Sequence, residues 1–158
     1  MRLVQTDPNF GNYLFDAASG RIALLDFGAT EAVAPERVEH LREIGRALRD
    51  ADAARVETAS VVAGFIGADD PPAQVRGVIE MMLMAGEPLR HDGPYDFGAS
   101  DLFSRVFAQG RAQFFGEGYA RTPPPDLLFL QREFIGSFML CTRLRARVDL
   151  GAAFGAHL

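Results

Sequence analysis

The hydrophobic pattern changes its period at Thr30 and so divides the chain into two parts. As far as Thr30, short apolar runs alternate with polar turns, and two β-prone runs between Tyr13 and Leu25 flank the turn residues Ser19 and Gly20. This arrangement predicts a β-hairpin. Beyond Thr30 the apolar residues recur every three or four positions, which is the spacing of amphipathic helices. The pattern therefore predicts an α+β fold, mainly α, with one short hairpin packed on a helical remainder.

Five helices are expected after the hairpin. The first begins at Pro35, a favoured residue in the first turn of a helix, and the fourth begins at Ser100, a favoured N-cap. The predicted helices cover Pro35 to about Leu48, Ala53 to Ile66, Ala73 to Ala85, a segment from Ser100, and Asp126 to Val148, the last with Leu127, Leu130, Phe134, Phe138 and Cys141 facing inward. Residues 87–99 are predicted to be a loop, and residues 122–125 a rigid proline-rich linker. Without internal repeats or a domain boundary, the pattern favours a single domain over residues 1–158.

The residues that carry chemistry lie near the N-terminus. Asp7 is followed five residues later by Asn12, and Asp26-Phe27-Gly28 comes directly after the second run of the hairpin. This is the order of a kinase-type phosphoryl-transfer site, with a catalytic-loop Asp, a metal-binding Asn and a metal-binding Asp. We predict that the hairpin brings Asn12 and Asp26 together as metal ligands, about 4–6 Å apart given the short oxygen–metal distances of Mg²⁺. Asp7 would orient a hydroxyl or water, or accept its proton.

A second Asp-Phe-Gly occurs at Asp96-Phe97-Gly98. It follows Pro94-Tyr95, with no catalytic-loop pattern upstream and no apolar strand leading into it, and it precedes the helix expected from Ser100. We therefore interpret this copy as a turn before a helix N-terminus and assign the metal site to Asp26.

These segments together resemble the UbiB (AarF-type) family of atypical kinase-like ATPases. The resemblance rests on Gln5 to Asn12 and Leu24 to Thr30 and, downstream, on Pro94 to Gly98, Gly136 to Cys141 and Leu144 to Arg147. In particular the chain is similar to the branch with Q-T-D-P-N in the catalytic loop, which is tied to ubiquinone (coenzyme Q) biosynthesis.

The resemblance implies a role for each candidate residue. Asp7 matches the family's catalytic Asp, and Asn12 and Asp26 match its metal ligands. It further implies that the chain is part of a kinase-like C-terminal lobe, that it binds ATP with Mg²⁺, and that it acts as an ATPase more readily than as a kinase of protein substrates.

The chain departs from the family's pattern at its start. Only six residues precede Asp7, and the sequence carries neither the K-x-G-Q motif nor the Ala-rich nucleotide loop. It also contains no Lys for the phosphates, since all sixteen residues counted as Lys or Arg are Arg. We therefore expect the nucleotide-covering lobe to be missing or supplied by a partner chain. Alone, this chain should be catalytically silent, with Mg-ATP affinity no better than roughly millimolar, about −4 kcal/mol.

Composition excludes several classes of function. The net charge of −5 disfavours nucleic-acid binding, which needs a basic face. The single cysteine, Cys141, cannot form an internal disulfide and lies in an apolar helical run, so we interpret it as a small core residue. No apolar run approaches the roughly 18–20 residues that span a bilayer, and no signal peptide is visible. We expect a cytoplasmic location, or one peripheral to a membrane.

Two other functions remain open. The chain could be a catalytically silent helical module that contacts partners or lipid, with Arg132, Arg143, Arg145 and Arg147 as candidate phosphate or head-group contacts. A solvated helix end is the simpler interpretation of those cations. A small-molecule phosphotransferase of the aminoglycoside or choline kinase type usually carries H-x-D in its catalytic loop, and Gln5 in place of that His argues against it.

Overall fold

The computed structural model describes residues 2–7, 9–113, 124–155 and 157–158. This part of the chain is mainly α-helical, with three pairs of short antiparallel strands. The α+β, mainly α class is therefore confirmed. That residues 1–158 form a single domain stays a prediction.

The N-terminal strands form two of the three pairs. β1 (Leu3–Gln5) pairs with β4 (Thr30–Ala32), and β2 (Tyr13–Asp16) pairs with β3 (Arg21–Leu24). The β2–β3 pair is the expected hairpin, and Gly20 at its turn has a φ of 67°, which glycine adopts without steric cost. Both strands expose most of their side chains, including Phe15 (68% exposed) and Ile22 (70% exposed), so the hairpin packs less closely on the helices than expected.

Seven α-helices follow in the described part of the chain. They are α1 (Pro35–Arg49), α2 (Ala53–Ala63), α3 (Pro72–Ala85), α4 (Glu87–Arg90), α5 (Leu102–Arg111), α6 (Pro125–Arg143) and α7 (Leu150–Gly155). The third strand pair joins β5 (Tyr95–Asp96), before α5, to β6 (Arg147–Val148), after α6.

Three clusters of buried side chains hold the described helices together. Two lie among α1, α2 and α3: one comprises Ala47, Val56, Ile66, Val78 and Ile79, and the other Ile44, Ala59 and Ala63. The third consists of Tyr95, Phe97 and Leu102, with Phe138 and Cys141 of α6 packed against it. The packing of Cys141 agrees with its interpretation as a core residue, and its partial burial raises the pKa of the thiol.

Two helices end earlier than the periodicity predicts. α2 stops at Ala63 because Gly64 adopts a φ of 88° and donates its N–H to the carbonyl of Ser60, a common glycine C-cap. α6 stops at Arg143, and Arg145 then takes a φ of 50° so that the chain can enter β6.

Four other expectations need correction. Residues 87–99 are not a loop throughout, because they contain α4 and β5. Ser100 accepts the N–H of Leu102 through its Oγ, at 3.0 Å, but α5 begins only at Leu102. Phe134 does not face inward: it is 55% exposed, whereas Leu127 and Leu130 of the same helix are buried. Of the predicted linker, residues 122–123 lie outside the described residues and Pro125 is the first residue of α6.

Candidate functional site

The side chains of Asp7 and Asn12 are in direct contact. Asn12 Nδ2 donates to Asp7 Oδ2 at 2.9 Å and to the Asp7 carbonyl at 3.2 Å. A short 3-10 helix, Phe10–Asn12, turns the chain between them, and Asn9 caps it by accepting the N–H of Gly11. The five-residue spacing read from the sequence thus corresponds to one compact loop.

The hairpin carries the segment of Asp26 back to this loop. The N–H of Leu25 donates to the carbonyl of Asn12 at 2.8 Å, which places the residue before Asp26 beside Asn12. The carboxylate of Asp26 is exposed, and its Oδ1 accepts the N–H of Gly28 at 2.7 Å. The backbone proximity of the two predicted metal ligands therefore agrees with the sequence analysis, while their roles as ligands stay predictions.

Gln5 and Thr6 connect the loop to the segment around Asp26. Gln5 Oε1 accepts the N–H of Asp7 at 2.9 Å, and Gln5 Nε2 lies 3.4 Å from the carbonyl of Asp26. Thr6 is 2% exposed and donates both its N–H and its hydroxyl to the carbonyl of Ala29, each at 2.8 Å. Sequence reasoning treated Gln5 only as a family marker, whereas its amide bonds both segments of the site.

Arg132 of α6 is a contact of the site that sequence reasoning missed. Its Nη2 lies 2.6 Å from Asp7 Oδ1, although 125 positions separate the two residues. Its side chain is therefore not simply solvated, as the simpler interpretation of the arginines held. No local sequence pattern predicts the pairing of Arg132 with Asp7, because it depends on where α6 crosses the loop.

Further contacts link α6 to the same region. Arg143 lies over the ring of Phe10, with its guanidinium carbon 5.6 Å from the ring centroid, a cation–π arrangement. Burial raises the pKa of Tyr13, and the negative charges of Glu133 and Asp7 raise that pKa further. Glu133 Oε1 accepts the hydroxyl of Ser137 at 3.0 Å. The loop thus lies against the α6 surface in the part around Arg132 and Glu133.

The two Asp-Phe-Gly copies share a local turn but differ in environment. As Asp26 does with Gly28, Asp96 Oδ1 accepts the N–H of Gly98, at 3.0 Å, and also that of Ala99. Phe27 is 65% exposed, whereas the second copy's Phe97 is 3% exposed.

Phe97 is held between Tyr95 and Phe138 in edge-to-face contacts. The second copy is therefore a structural turn before α5, as predicted, although the short strand β5 does lead into it.

Asn12 and Asp26 can bind a hard cation only together with the phosphate oxygens of a nucleotide, as the metal ligands of kinases do. Within the described residues, no cluster of three or more His, Cys, Asp or Glu side chains is arranged to hold a metal. A site made from one carboxylate, one amide oxygen and a nucleotide's phosphates needs no such cluster, because Mg²⁺ retains waters and takes substrate oxygens as ligands. The chemistry of Asn12 and Asp26 therefore fits Mg²⁺.

Comparisons with known proteins show the family of this chain. Residues 1–60, which include Asp7, Asn12 and Asp26, match the ABC1 atypical kinase-like domain. The atypical kinase COQ8B, mitochondrial, of Rattus norvegicus is 36% identical over 147 residues, 93% of this chain. The chain belongs to the ABC1 (UbiB/AarF) family of atypical kinase-like proteins. The resemblance read from its motifs is thereby confirmed.

Other relatives also align over most of this chain. The atypical kinase COQ8, mitochondrial, of Saccharomyces cerevisiae is 28% identical over 153 residues, 97% of this chain. The probable serine/threonine-protein kinase abkA of Dictyostelium discoideum is 23% identical over 155 residues. The chain spans 28% of the rat protein and 30% of the yeast protein.

Among the residues that the structure describes, no helix is long and apolar enough to cross a membrane. The rat and yeast relatives are named as mitochondrial, so the cytoplasmic location expected from the sequence stays a prediction.

Proposed function

We propose that this chain carries the catalytic loop and the metal ligands of an atypical kinase-like ATPase that binds Mg-ATP. Its biological role would be to support ubiquinone biosynthesis, as the resemblance to the Q-T-D-P-N branch implies. The ABC1 match over the segment that holds all three site residues supports the first part of this proposal.

The orientation of the Asn12 amide carries the argument. Both hydrogen bonds of its side chain run from Nδ2 to Asp7, so Oδ1 points away from that residue. In the described part of the chain no donor occupies Oδ1. An amide oxygen held in this way is a ready ligand for a hard cation. Because Leu25 bonds the backbone of Asn12, the Asp26 carboxylate would complete the protein's share of the ligands.

The three side chains then divide the work. Asn12 and Asp26 would hold Mg²⁺, which offsets the charge that phosphoryl transfer spreads over the phosphate oxygens. Asp7 would orient the attacking hydroxyl or water through a free lone pair, since each carboxylate oxygen can accept two hydrogen bonds. Gln5 would keep the loop and the Asp26 segment in register through its bonds to both.

A paired substitution tests the assignment of the metal site. Asp26→Asn should weaken Mg-ATP binding at least tenfold, about 1.4 kcal/mol, because one anionic ligand becomes neutral. Asp96→Asn is the matched control, since it makes the same change in the same tripeptide at a structural turn. Titration of each variant with Mg-ATP, in the presence of the nucleotide-covering lobe, measures the difference. Equal losses in both variants, or none in Asp26→Asn, would contradict the proposal.

The role in ubiquinone biosynthesis has its own test. Replacing Asp7 by Asn in the chromosomal gene should lower cellular ubiquinone and let its precursors accumulate, while the protein remains at its normal level. Ubiquinone content that is unchanged by Asp7→Asn would refute this part of the proposal without touching Mg-ATP binding.

A catalytically silent interaction module is the second candidate. Exposed apolar side chains on the hairpin and just after it favour it, including Phe15, Ile22 and Phe27, since contiguous exposed apolar surface marks contact sites. If this candidate is right, cellular ubiquinone content stays normal in Asp7→Asn and in Asp26→Asn. The double substitution Phe15→Ser with Ile22→Ser should instead lower it.

A further inference from the structure

The carboxylate of Asp7 is held from two sides. Asn12 Nδ2 bonds Oδ2 at 2.9 Å, and Arg132 Nη2 bonds Oδ1 at 2.6 Å. The first bond comes from the same loop, but the second comes from α6, far along the chain. With a bond on each oxygen, rotation of the carboxylate would break at least one of them.

We propose that Arg132 is a positioning residue for Asp7 in the phosphoryl-transfer reaction, an inference that rests on the proposed function. Asp7 is 29% exposed, so its carboxylate can be reached from solvent, and the bonds from Asn12 and Arg132 fix its rotamer. A charge-assisted bond from a planar guanidinium supplies both direction and attraction. Each carboxylate oxygen keeps a lone pair for a substrate hydroxyl or water. Arg132 therefore sets the angle at which Asp7 meets that group.

Buried leucines fix the position of α6 and thereby the contact between Arg132 and Asp7. Leu127 is fully buried and Leu130 is 7% exposed, so the turn before Arg132 is fixed in the fold. The guanidinium itself is exposed, with 57% of the Arg132 side chain accessible. An exposed ion pair contributes little to stability. Removing Arg132 should consequently change the angle of Asp7 without unfolding the protein.

An open groove beside Arg132 would let a small cation take the place of its guanidinium. The groove has a volume of about 410 Å³ and is lined by Leu128, Gln131, Arg132, Ile135, Gly136 and Met139. A small cation added to the solution can therefore reach the place that Arg132 vacates. This permits chemical rescue, which a role in folding alone would not allow.

Kinetics of substituted protein form the first half of the test. In protein supplied with the nucleotide-covering lobe, Arg132→Ala should lower kcat for ATP hydrolysis by about tenfold or more, because misplacing a reacting group by a fraction of an ångström is costly. KM for Mg-ATP should stay within about twofold, because nucleotide contacts remain. Arg132→Lys should recover part of the rate, and guanidinium chloride at millimolar concentration should raise kcat of Arg132→Ala. Arg147→Ala is the matched control, since Arg147 pairs at 3.7 Å with Asp96 of the structural turn, and its rate should be unchanged.

A measurement that needs no activity forms the second half. The side-chain amide resonances of Asn12 report its bond to Asp7, so Arg132→Ala should shift or broaden them and Arg147→Ala should not. If Asp26→Asn leaves Mg-ATP binding intact but the Asn12 resonances respond to Arg132→Ala, the proposed function fails and the positioning contact stands. Unperturbed Asn12 resonances in Arg132→Ala, or a full rate without rescue, would overturn the inference.

Discussion

The glycines of the two Asp-Phe-Gly copies should respond in opposite ways to the same substitution. Neither Gly28 nor Gly98 has a positive φ, so an added methyl group causes no backbone strain at either position. What differs is the space around them. A Cβ at Gly98 would lie 2.8 Å from the Cα of Arg145, whereas a Cβ at Gly28 would meet, among the described residues, only Asp26 Oδ1, at 3.1 Å.

These distances set the expected magnitudes. At Gly98 the obstacle is backbone, so the chain around Arg145 must move, and overpacking of this kind costs about 1–3 kcal/mol. For a chain of this length each kcal/mol lowers Tm by about 2–4 °C, which gives a fall of about 2–12 °C. At Gly28 the exposed carboxylate of Asp26 can swing aside, so stability should change by less than about 0.5 kcal/mol.

The functional effects should be reversed. Gly28→Ala displaces the carboxylate that we assign to the metal, so Mg-ATP affinity should fall although the fold is intact. Gly98→Ala should lower Tm while nucleotide affinity at a temperature well below Tm stays unchanged. Thermal unfolding followed by circular dichroism, with Mg-ATP titration of each variant, separates the two. A Gly98→Ala protein with the parental Tm, or a Gly28→Ala protein with parental affinity, would refute the reasoning at that position.

Two further predictions concern stability. Leu127→Ala should lower the free energy of unfolding, measured in urea, by about 2–5 kcal/mol because it leaves a cavity at a fully buried position. Its neighbour Leu128 is 42% exposed, so Leu128→Ala should lower that free energy by less than about 1 kcal/mol. Equal losses would contradict the burial of that helix face. Burial raises the pKa of Glu87, but hydrogen bonds from Tyr95 and Arg105 outweigh it and leave the pKa below its ordinary value of 4.5. The stabilisation by Glu87 is then present above about pH 4.5 and lost as the pH falls through the folded-state pKa; Glu87→Gln should narrow the stability gap between neutral and acidic pH, and an unchanged gap would contradict this.

The sequence predicted the parts of the fold that local rules govern. The hairpin from Tyr13 to Leu25 and the start of α1 at Pro35 follow from alternation, turn residues and a first-turn proline. The early end of α2 could have been predicted as well, because glycine, here Gly64, is a common C-cap residue. The end of α6 was not, since a positive φ at Arg145 is imposed by the pairing of β5 with β6.

The candidate site divides in the same way. Asp7 and Asn12 were identified from a spacing that one loop realises, and the interpretation of Asp96-Phe97-Gly98 as a turn before a helix agrees with its hydrogen bonds. The assignment of the metal site to Asp26 stays a prediction. Arg132 could not be found, because its contact with Asp7 depends on the packing of α6. Helical periodicity likewise cannot tell which apolar residues a neighbour covers, and that accounts for the wrong placement of Phe134.

Paramagnetic relaxation by Mn²⁺ tests the central claim most directly. Mn²⁺ takes the same oxygen ligands as Mg²⁺ and broadens nearby amide resonances. With ATP and substoichiometric Mn²⁺, the resonances of Asn12 and Asp26 should broaden first, those of Asp96 should stay sharp, and Mg²⁺ in excess should restore the spectrum. Broadening centred on Asp96, or none at Asn12 and Asp26 at millimolar nucleotide, would contradict the account.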